Sequence, residues 1–229
     1  MSGAPPAAVF LDLDGCLVDS TLAITRSINH ALSAVGMPER PTEDLLRFIG
    51  PPAMANFRVL LAEEGRDVAL APACVDAYRE RYRVMAAAET RVFAGIEDAL
   101  ATLGALGPLA VVTSKPRPIA EPLLTAVGLM GAFTAVHGPE LDAHAETKTV
   151  TLTRAIDSLG VDAARAVMVG DREYDVVAGR ACGTGTVGVL WGAGDREELE
   201  RAGADALAVE PTGLAEVVLG VSRARSASR

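Results

Sequence analysis

Two carboxylates spaced i, i+2 stand at the end of an apolar run: Val9-Phe10-Leu11-Asp12-Leu13-Asp14-Gly15-Cys16-Leu17. Three further groups with chemical potential recur along the chain. Thr113-Ser114-Lys115 ends a second apolar run, Lys148 opens a helical stretch, and Gly170-Asp171-Arg172-Glu173-Tyr174-Asp175 follows a third run. Four carboxylates, a hydroxyl pair and an ammonium suit a divalent cation and a phosphate. Mg²⁺ in particular takes a few carboxylates and completes its shell with water and phosphate oxygens. Of 21 basic residues only Lys115 and Lys148 are lysines. In a chain that uses Arg for generic positive charge, a lysine offers a compact point charge that a planar guanidinium does not reproduce.

Each residue also has a plainer use. Asp12 could form an Asx turn, Asp171 could cap the helix that follows it, Asp175 could make a structural hydrogen bond, and Thr113 could simply end a strand. Lys115 stays open between substrate contact, surface charge and support for its loop. His30, His137 and His144 form no ligand pattern.

The elements that must position these residues follow from hydrophobic periodicity. Ala7 to Leu11 is too short and too β-prone for a helix and reads as a buried parallel strand. Residues 18 to 91 read as helical throughout, over Thr21 to Val35, Leu45 to Phe48, Ala53 to Glu64 and Pro72 to Ala88. From Phe93 onward, helices alternate with β-branched runs at 109–113, 133–136, 166–170 and 186–190, with a weaker strand at 206–209 and a last helix at 214–219. Repeated βα units predict a three-layer α/β/α, Rossmann-like parallel sheet. Residues 1–17 and 92–229 would form this core, and residues 18–91 an α-helical cap inserted after the first strand. The polar tail from Ser222 to Arg229 is expected to fray. Gly50-Pro51-Pro52 predicts a helix start, and Arg47 beside that turn and Gly50 itself are candidate substrate contacts from the cap.

The totals set outer limits. A net charge of −9 and a pI near 4.9 argue against a nucleic-acid partner. No apolar stretch reaches membrane-spanning length. Three scattered cysteines without metal spacing, and an N-terminus without signal-peptide features, predict a cytoplasmic protein. The expected partner is a small phosphorylated metabolite, with the chain a monomer or homodimer.

In order and position, Asp12-x-Asp14-Gly15, Thr113 with Ser114, Lys148 and Gly170-Asp171-x-x-x-Asp175 resemble the four motifs of the haloacid dehalogenase superfamily. Asp19-Ser20, Phe48-Ile49-Gly50-Pro51-Pro52 and Val111 to Pro116 are similar to its phosphoglycolate phosphatase-like branch. The resemblance implies a phosphatase in which Asp12 attacks phosphorus to form an aspartyl-phosphate and Asp14 acts as general acid and then base. It implies Mg²⁺ held by Asp12, the Asp14 backbone carbonyl and Asp171, with Asp175 tied to it directly or through water, phosphate held by Thr113 and Ser114, and charge neutralised by Lys148. The expected substrate is 2-phosphoglycolate, with a 5′-nucleotide, pyrophosphate or another small ester as alternatives. Related mutases carry a cap histidine where this chain has Ile24, and Asp14 with the second acidic motif disfavours halide removal. A receiver domain would need only half the chain, and an inactive regulatory scaffold would not fill every chemical position. Cys16 departs from the threonine often found in this branch and suggests sensitivity to oxidation.

Overall fold

In the computed structural model, which describes residues 5–143 and 146–227, the first strand, β1 (Ala8–Leu11), lies at the centre of a six-stranded sheet. The chain then forms β2 (Val18–Asp19), the helices α1 (Thr21–Ala34), α2 (Thr42–Leu45), α3 (Ala53–Glu63) and α4 (Ala71–Glu89), and β3 (Arg91–Val92). The rest alternates: α5 (Ile96–Gly104), β4 (Leu109–Val112), α6 (Arg117–Ala126), β5 (Ala135–His137), α7 (Lys148–Leu159), β6 (Ala166–Gly170), α8 (Glu173–Cys182), β7 (Gly185–Val189), α9 (Arg196–Ala202), β8 (Ala206–Ala208) and α10 (Leu214–Ala227). The sheet order is β5-β4-β1-β6-β7-β8, parallel at every pairing.

This order places the chemistry. The chain builds outward from β1 through β4 to β5, then crosses back to β6 and builds the other way. A crevice opens at such a reversal, outside the carboxyl ends of the strands. Leu11 lies beside Val111 of β4 and Val169 of β6. The residues just beyond these three strands, Asp12, Thr113 and Asp171, therefore reach one rim.

Period-two alternation divides the core between the two faces. Val9 and Leu11 join the larger cluster with residues of α5, α6 and α10, whereas Ala8 and Phe10 join a smaller one with Leu152, Ala155 and Ala178 of α7 and α8. The alanines of that second face let helices approach closely. At Gly179 in α8 an added Cβ would stand 2.5 Å from the Thr186 methyl.

The helical segment leaves the core at Val18 and returns at Val92, where β2 and β3 pair antiparallel. Sequence periodicity does not show this ribbon, because two residues per strand carry no pattern. Buried Glu89 ties α1 to α4 by accepting from Arg26 and Arg81 at 2.9 Å. Two other elements differ from expectation. Helix α9 is additional, capped by Asp195, which accepts from Glu198 N–H at 2.8 Å. Helix α10 runs on to Ala227 because Val218, Val221 and Ser222 continue its buried stripe, so residues 222–227 are helical; 228–229 lie outside the described residues. Among the described residues no helix is long and apolar enough to cross a membrane.

Candidate active site

Strand β1 ends in a turn that Gly15 makes possible. Its φ of +80° is open to glycine and strained for other residues, and its N–H donates to Val18 O at 2.9 Å. Space forbids a side chain there as well, since a Cβ would collide with the Asp171 carboxylate. Gly192, on the loop after β7, presses on Asp171 from another direction, and a Cβ there would collide too. Asp171 is thus enclosed by backbone, and Ala193 N–H donates to its Oδ2 at 2.7 Å.

Asp12, Asp171 and Asp175 offer carboxylate oxygens that all lie within 4.8 Å of one another, and all three side chains are buried. Lys148, the first residue of α7, reaches into this cluster. Its Nζ stands 2.8 Å from Asp12 Oδ2 and 2.5 Å from Asp175 Oδ1. A cation in the first turn of a helix opposes the helix dipole, and burial also disfavours its charge, yet the two carboxylates outweigh burial and hold Lys148 above its ordinary pKa. Burial raises Asp12 to about 6 against the opposing pull of Lys148, and burial followed by the neighbouring carboxylates pushes Asp171 well above the usual range.

Lys148 stands within ion-pair distance of two of the three buried carboxylates, and among the described residues no cation stands that close to Asp171. Two oxygens, Asp12 Oδ1 and Asp171 Oδ1, are buried with no hydrogen-bond partner. Buried acceptors are almost always satisfied. Two orphaned carboxylate oxygens in one acidic cluster fit a hard divalent cation, which takes oxygen ligands. Asp175 differs: Oδ1 is on Lys148, and Oδ2 accepts Arg172 N–H at 3.1 Å. Asp175, and not Asp171, thereby serves the start of α8.

Asp14 faces away from the cluster. It accepts from Ser20 Oγ at 2.6 Å and from Lys115 Nζ at both oxygens, 2.6 Å at Oδ2. Lys115 also donates to Tyr82 Oη of α4 at 2.7 Å. Buried Thr113 accepts the Lys115 N–H through Oγ1 at 3.1 Å, which leaves its hydroxyl proton free to donate. Ser114 and Lys115 line a cleft between the sheet rim and the helical segment, part of it open to solvent. Gly50, Phe48, Tyr78 and Arg79 face the same cleft.

Asp12, Asp14, Thr113, Ser114, Lys115, Lys148, Asp171 and Asp175 thus share one rim, with Gly50 across the cleft. Arg47 does not join them. It is paired with Glu63 Oε1 at 2.7 Å, stacks over Phe48 and is 54% exposed, because residues 46–48 form a short 3-10 turn that directs it outward. Arg79 is the arginine in the cleft. Cys16 is fully buried, and burial pushes its thiol well up, so it is neither accessible nor a ready thiolate. His137 meets Ser158 Oγ at 3.1 Å, and His144 lies outside the described residues.

Sequence reasoning missed Ser20, Tyr82, Arg172 and Ala193. Arg172 is buried, donates to Ile49 O at 2.5 Å and pairs with Glu198 at 2.8 Å, which joins the Gly50 turn to the rim. Its place beside Asp171 was the available signal. Nothing local marks Ala193, which contributes only its backbone.

Comparison with known proteins agrees with this arrangement. The model of the haloacid dehalogenase-like hydrolases matches residues 9–189. The chain belongs to that family. It is 37% identical over 192 residues to a 5′-nucleotidase of Pseudomonas aeruginosa, covering 83% of this chain and 86% of that one. It is 32% identical over 214 residues to a phosphoglycolate phosphatase of Xanthomonas campestris pv. campestris, covering 92% and 96%. Among solved structures, one described as a predicted phosphatase from Clostridium acetobutylicum superposes with a TM-score of 0.88 at 32% identity, covering 95% of this chain and all of that one. The Rossmann-like sheet with helices on both faces is the architecture that this membership carries.

Proposed function

We propose that this dehalogenase-family hydrolase is a Mg²⁺-dependent phosphatase that cleaves a small phosphate monoester through an aspartyl-phosphate on Asp12. The observation that carries the reading is the pair of orphaned oxygens, Asp12 Oδ1 and Asp171 Oδ1, in a cluster that Lys148 neutralises only in part. Asp12 and Asp171 would hold Mg²⁺ directly, with the Asp14 backbone carbonyl. Asp175, both of whose oxygens are engaged, would act through water. Bound there, the ion supplies positive charge that offsets repulsion between a carboxylate nucleophile and an anionic phosphate.

The chain's own residues do the rest. Asp12 forms a bond to phosphorus as the ester P–O bond breaks, replacing one difficult displacement by two easier ones. Asp14 gives a proton to the departing oxygen. It then takes one from water, whose oxygen attacks phosphorus and releases inorganic phosphate, restoring Asp12. Thr113 Oγ1 and the Ser114 backbone hold phosphoryl oxygens, and Lys148 keeps the nucleophile and phosphate charge-balanced, since phosphoryl transfer is mainly positioning and charge stabilisation. The helical segment 18–91 acts as a cap over the rim, with Lys115 and Gly50 on the substrate side of the cleft. Residues 1–17 and 92–229 form the catalytic core.

The names of the two relatives described above divide between phosphoglycolate and nucleotides. The 32% relative favours the first, and the 37% relative favours the second. Phosphate release with Mg²⁺ from p-nitrophenyl phosphate, 2-phosphoglycolate, nucleotides and pyrophosphate tests the activity. Turnover that EDTA abolishes and Mg²⁺ restores is expected. Absence of turnover on every ester would favour a regulatory protein on an inactive scaffold.

A further inference from the structure

The turn at Gly50 is held from two sides. Within the helical segment, buried Asn56 of α3 donates through Nδ2 to Phe48 O at 2.7 Å and to Pro51 O at 3.3 Å. A carbonyl between them, Ile49 O, instead serves the core and accepts from Arg172 Nη1 at 2.5 Å. Gly50 suits this contact in two ways. Its φ of +103° lies in the region that favours glycine, and a Cβ there would stand 3.1 Å from Arg172 Cγ, closer than ordinary packing. Position 50 therefore has a reason to be glycine that involves no substrate.

Arg172 is fixed in turn by the core. Glu198 Oε1 accepts from its Nε at 2.8 Å and from Glu173 N–H at 2.8 Å, so one carboxylate holds both the side chain and the start of α8. Gly194, on the loop after β7, packs so closely that a Cβ would stand 3.3 Å from Arg172 Cδ. A buried guanidinium is costly unless it is paired and hydrogen-bonded. This one is paired within the core, and its fork still reaches across to the helical segment. Because the acceptor there is main chain, the bond sets where the turn lies, whatever side chain position 49 carries. Helix α4 meets the core elsewhere, through Tyr82 with Lys115 and Arg79 with Leu141 O. Arg172 adds a contact at the Gly50 turn, one residue from Asp171.

We propose that Arg172 is a positioning residue: it latches the Ile49–Gly50 turn onto the rim and so holds segment 18–91 closed over the cleft. The inference rests on the reading of that segment as a cap. Its first test needs no turnover, so its failure is distinguishable from failure of the phosphatase reading.

The chain supplies its own reporter. Lys115 and Lys148 are its only lysines, and in this closed arrangement the Lys115 side chain is 7% exposed. A pulse of an amine-acylating reagent on the intact protein, read by peptide mass spectrometry, measures opening at Lys115. A hydrogen bond to a charged group shifts such an equilibrium by about tenfold or more. Arg172→Met should raise the labelling rate of Lys115 by about that factor. Arg172→Lys keeps the charge without the fork and should fall between. Glu198→Gln should raise labelling severalfold; Glu198 meets Arg172 and not the cleft, so its effect must pass through the arginine, and this variant decides if Arg172→Met does not fold. Fully buried Cys16 should stay unreactive toward a thiol reagent in each, which excludes general loosening. With p-nitrophenyl phosphate, KM should rise more than kcat falls, because only the closed fraction of the free protein is competent. Unchanged Lys115 labelling in the folded variants would overturn the latch. So would a raised Mg²⁺ requirement without added labelling, which would mean that Arg172 acts on Asp171 alone. Added labelling with KM unchanged would overturn the positioning role.

Discussion

At the scale of single residues, the two carboxylates that end β1 divide by their partners. Asp12 meets Lys148 and the acidic cluster, whereas Asp14 meets Ser20 and Lys115. If Asp14 moves the proton, Asp14→Asn should slow turnover of alkyl phosphates by about 10²–10⁴-fold, the range for a general acid or base. The loss in the first step should be smaller for p-nitrophenyl phosphate, whose leaving group needs no proton. Burst kinetics with the two substrate types would show this, and equal losses in that step would remove the acid role. Lys148 makes a different demand. Removing one partner of a buried ion pair costs about 3–5 kcal/mol because the remaining charge is stranded. Lys148→Met should therefore lower unfolding stability by that order in EDTA, and Mg²⁺ should recover part of it, as read from denaturant melts. The convergence of Asp12, Asp14, Lys148 and Asp171 on one rim was legible as an ordered set of residue types. Arg47 was not, because sequence shows nearness to the Gly50 turn but not the direction of a side chain leaving a 3-10 turn.

At the scale of elements, the site is a set of strand ends brought together by sheet order. The β-branched runs showed the strands, and a parallel sheet with helices on both faces followed from their alternation with helices. The ribbon of β2 and β3 and the short α9 escaped notice. Two-residue strands have no periodicity, and α9 has only one turn of buried apolar surface, although Asp195 three residues before Glu198 is a capping signal. The loop after β7 was missed for a related reason: its work is done by backbone. Gly192 admits no Cβ against Asp171, and Ala193 N–H holds Asp171 Oδ2. Groups that orient metal ligands typically matter by 10–100-fold in metal affinity. Gly192→Ala should thus weaken Mg²⁺ binding by about that factor, measured as the Mg²⁺ concentration needed to raise the melting temperature. Unaltered affinity would show that the loop does not set the position of Asp171.

At the scale of the whole molecule, the acidic cluster is a cost that a bound cation would offset. Burial holds Asp12 at about 6 in the folded chain, above its ordinary value of 3.8. A folded state that holds a proton more tightly than the unfolded one loses stability as pH rises through that interval. In EDTA, the stability of wild type relative to Asp12→Asn should therefore fall between about pH 4 and 6 and level off above. Saturating Mg²⁺ should reduce this fall. A ligand at 100 times its Kd stabilises by about 2.7 kcal/mol, which is roughly 5–10 °C in Tm for a chain of this size. Calorimetric melts across pH, with and without Mg²⁺, would check both. The central claim, however, is chemical: phosphate passes through Asp12. Rapid quenching during turnover, followed by borohydride reduction and peptide mass spectrometry, reads it directly. An acyl phosphate on Asp12 should be reduced to homoserine at that position, absent without substrate and absent in Asp12→Asn. Steady turnover with Asp12 unmodified at every quench time, or with the phosphate found on another residue, would contradict the account.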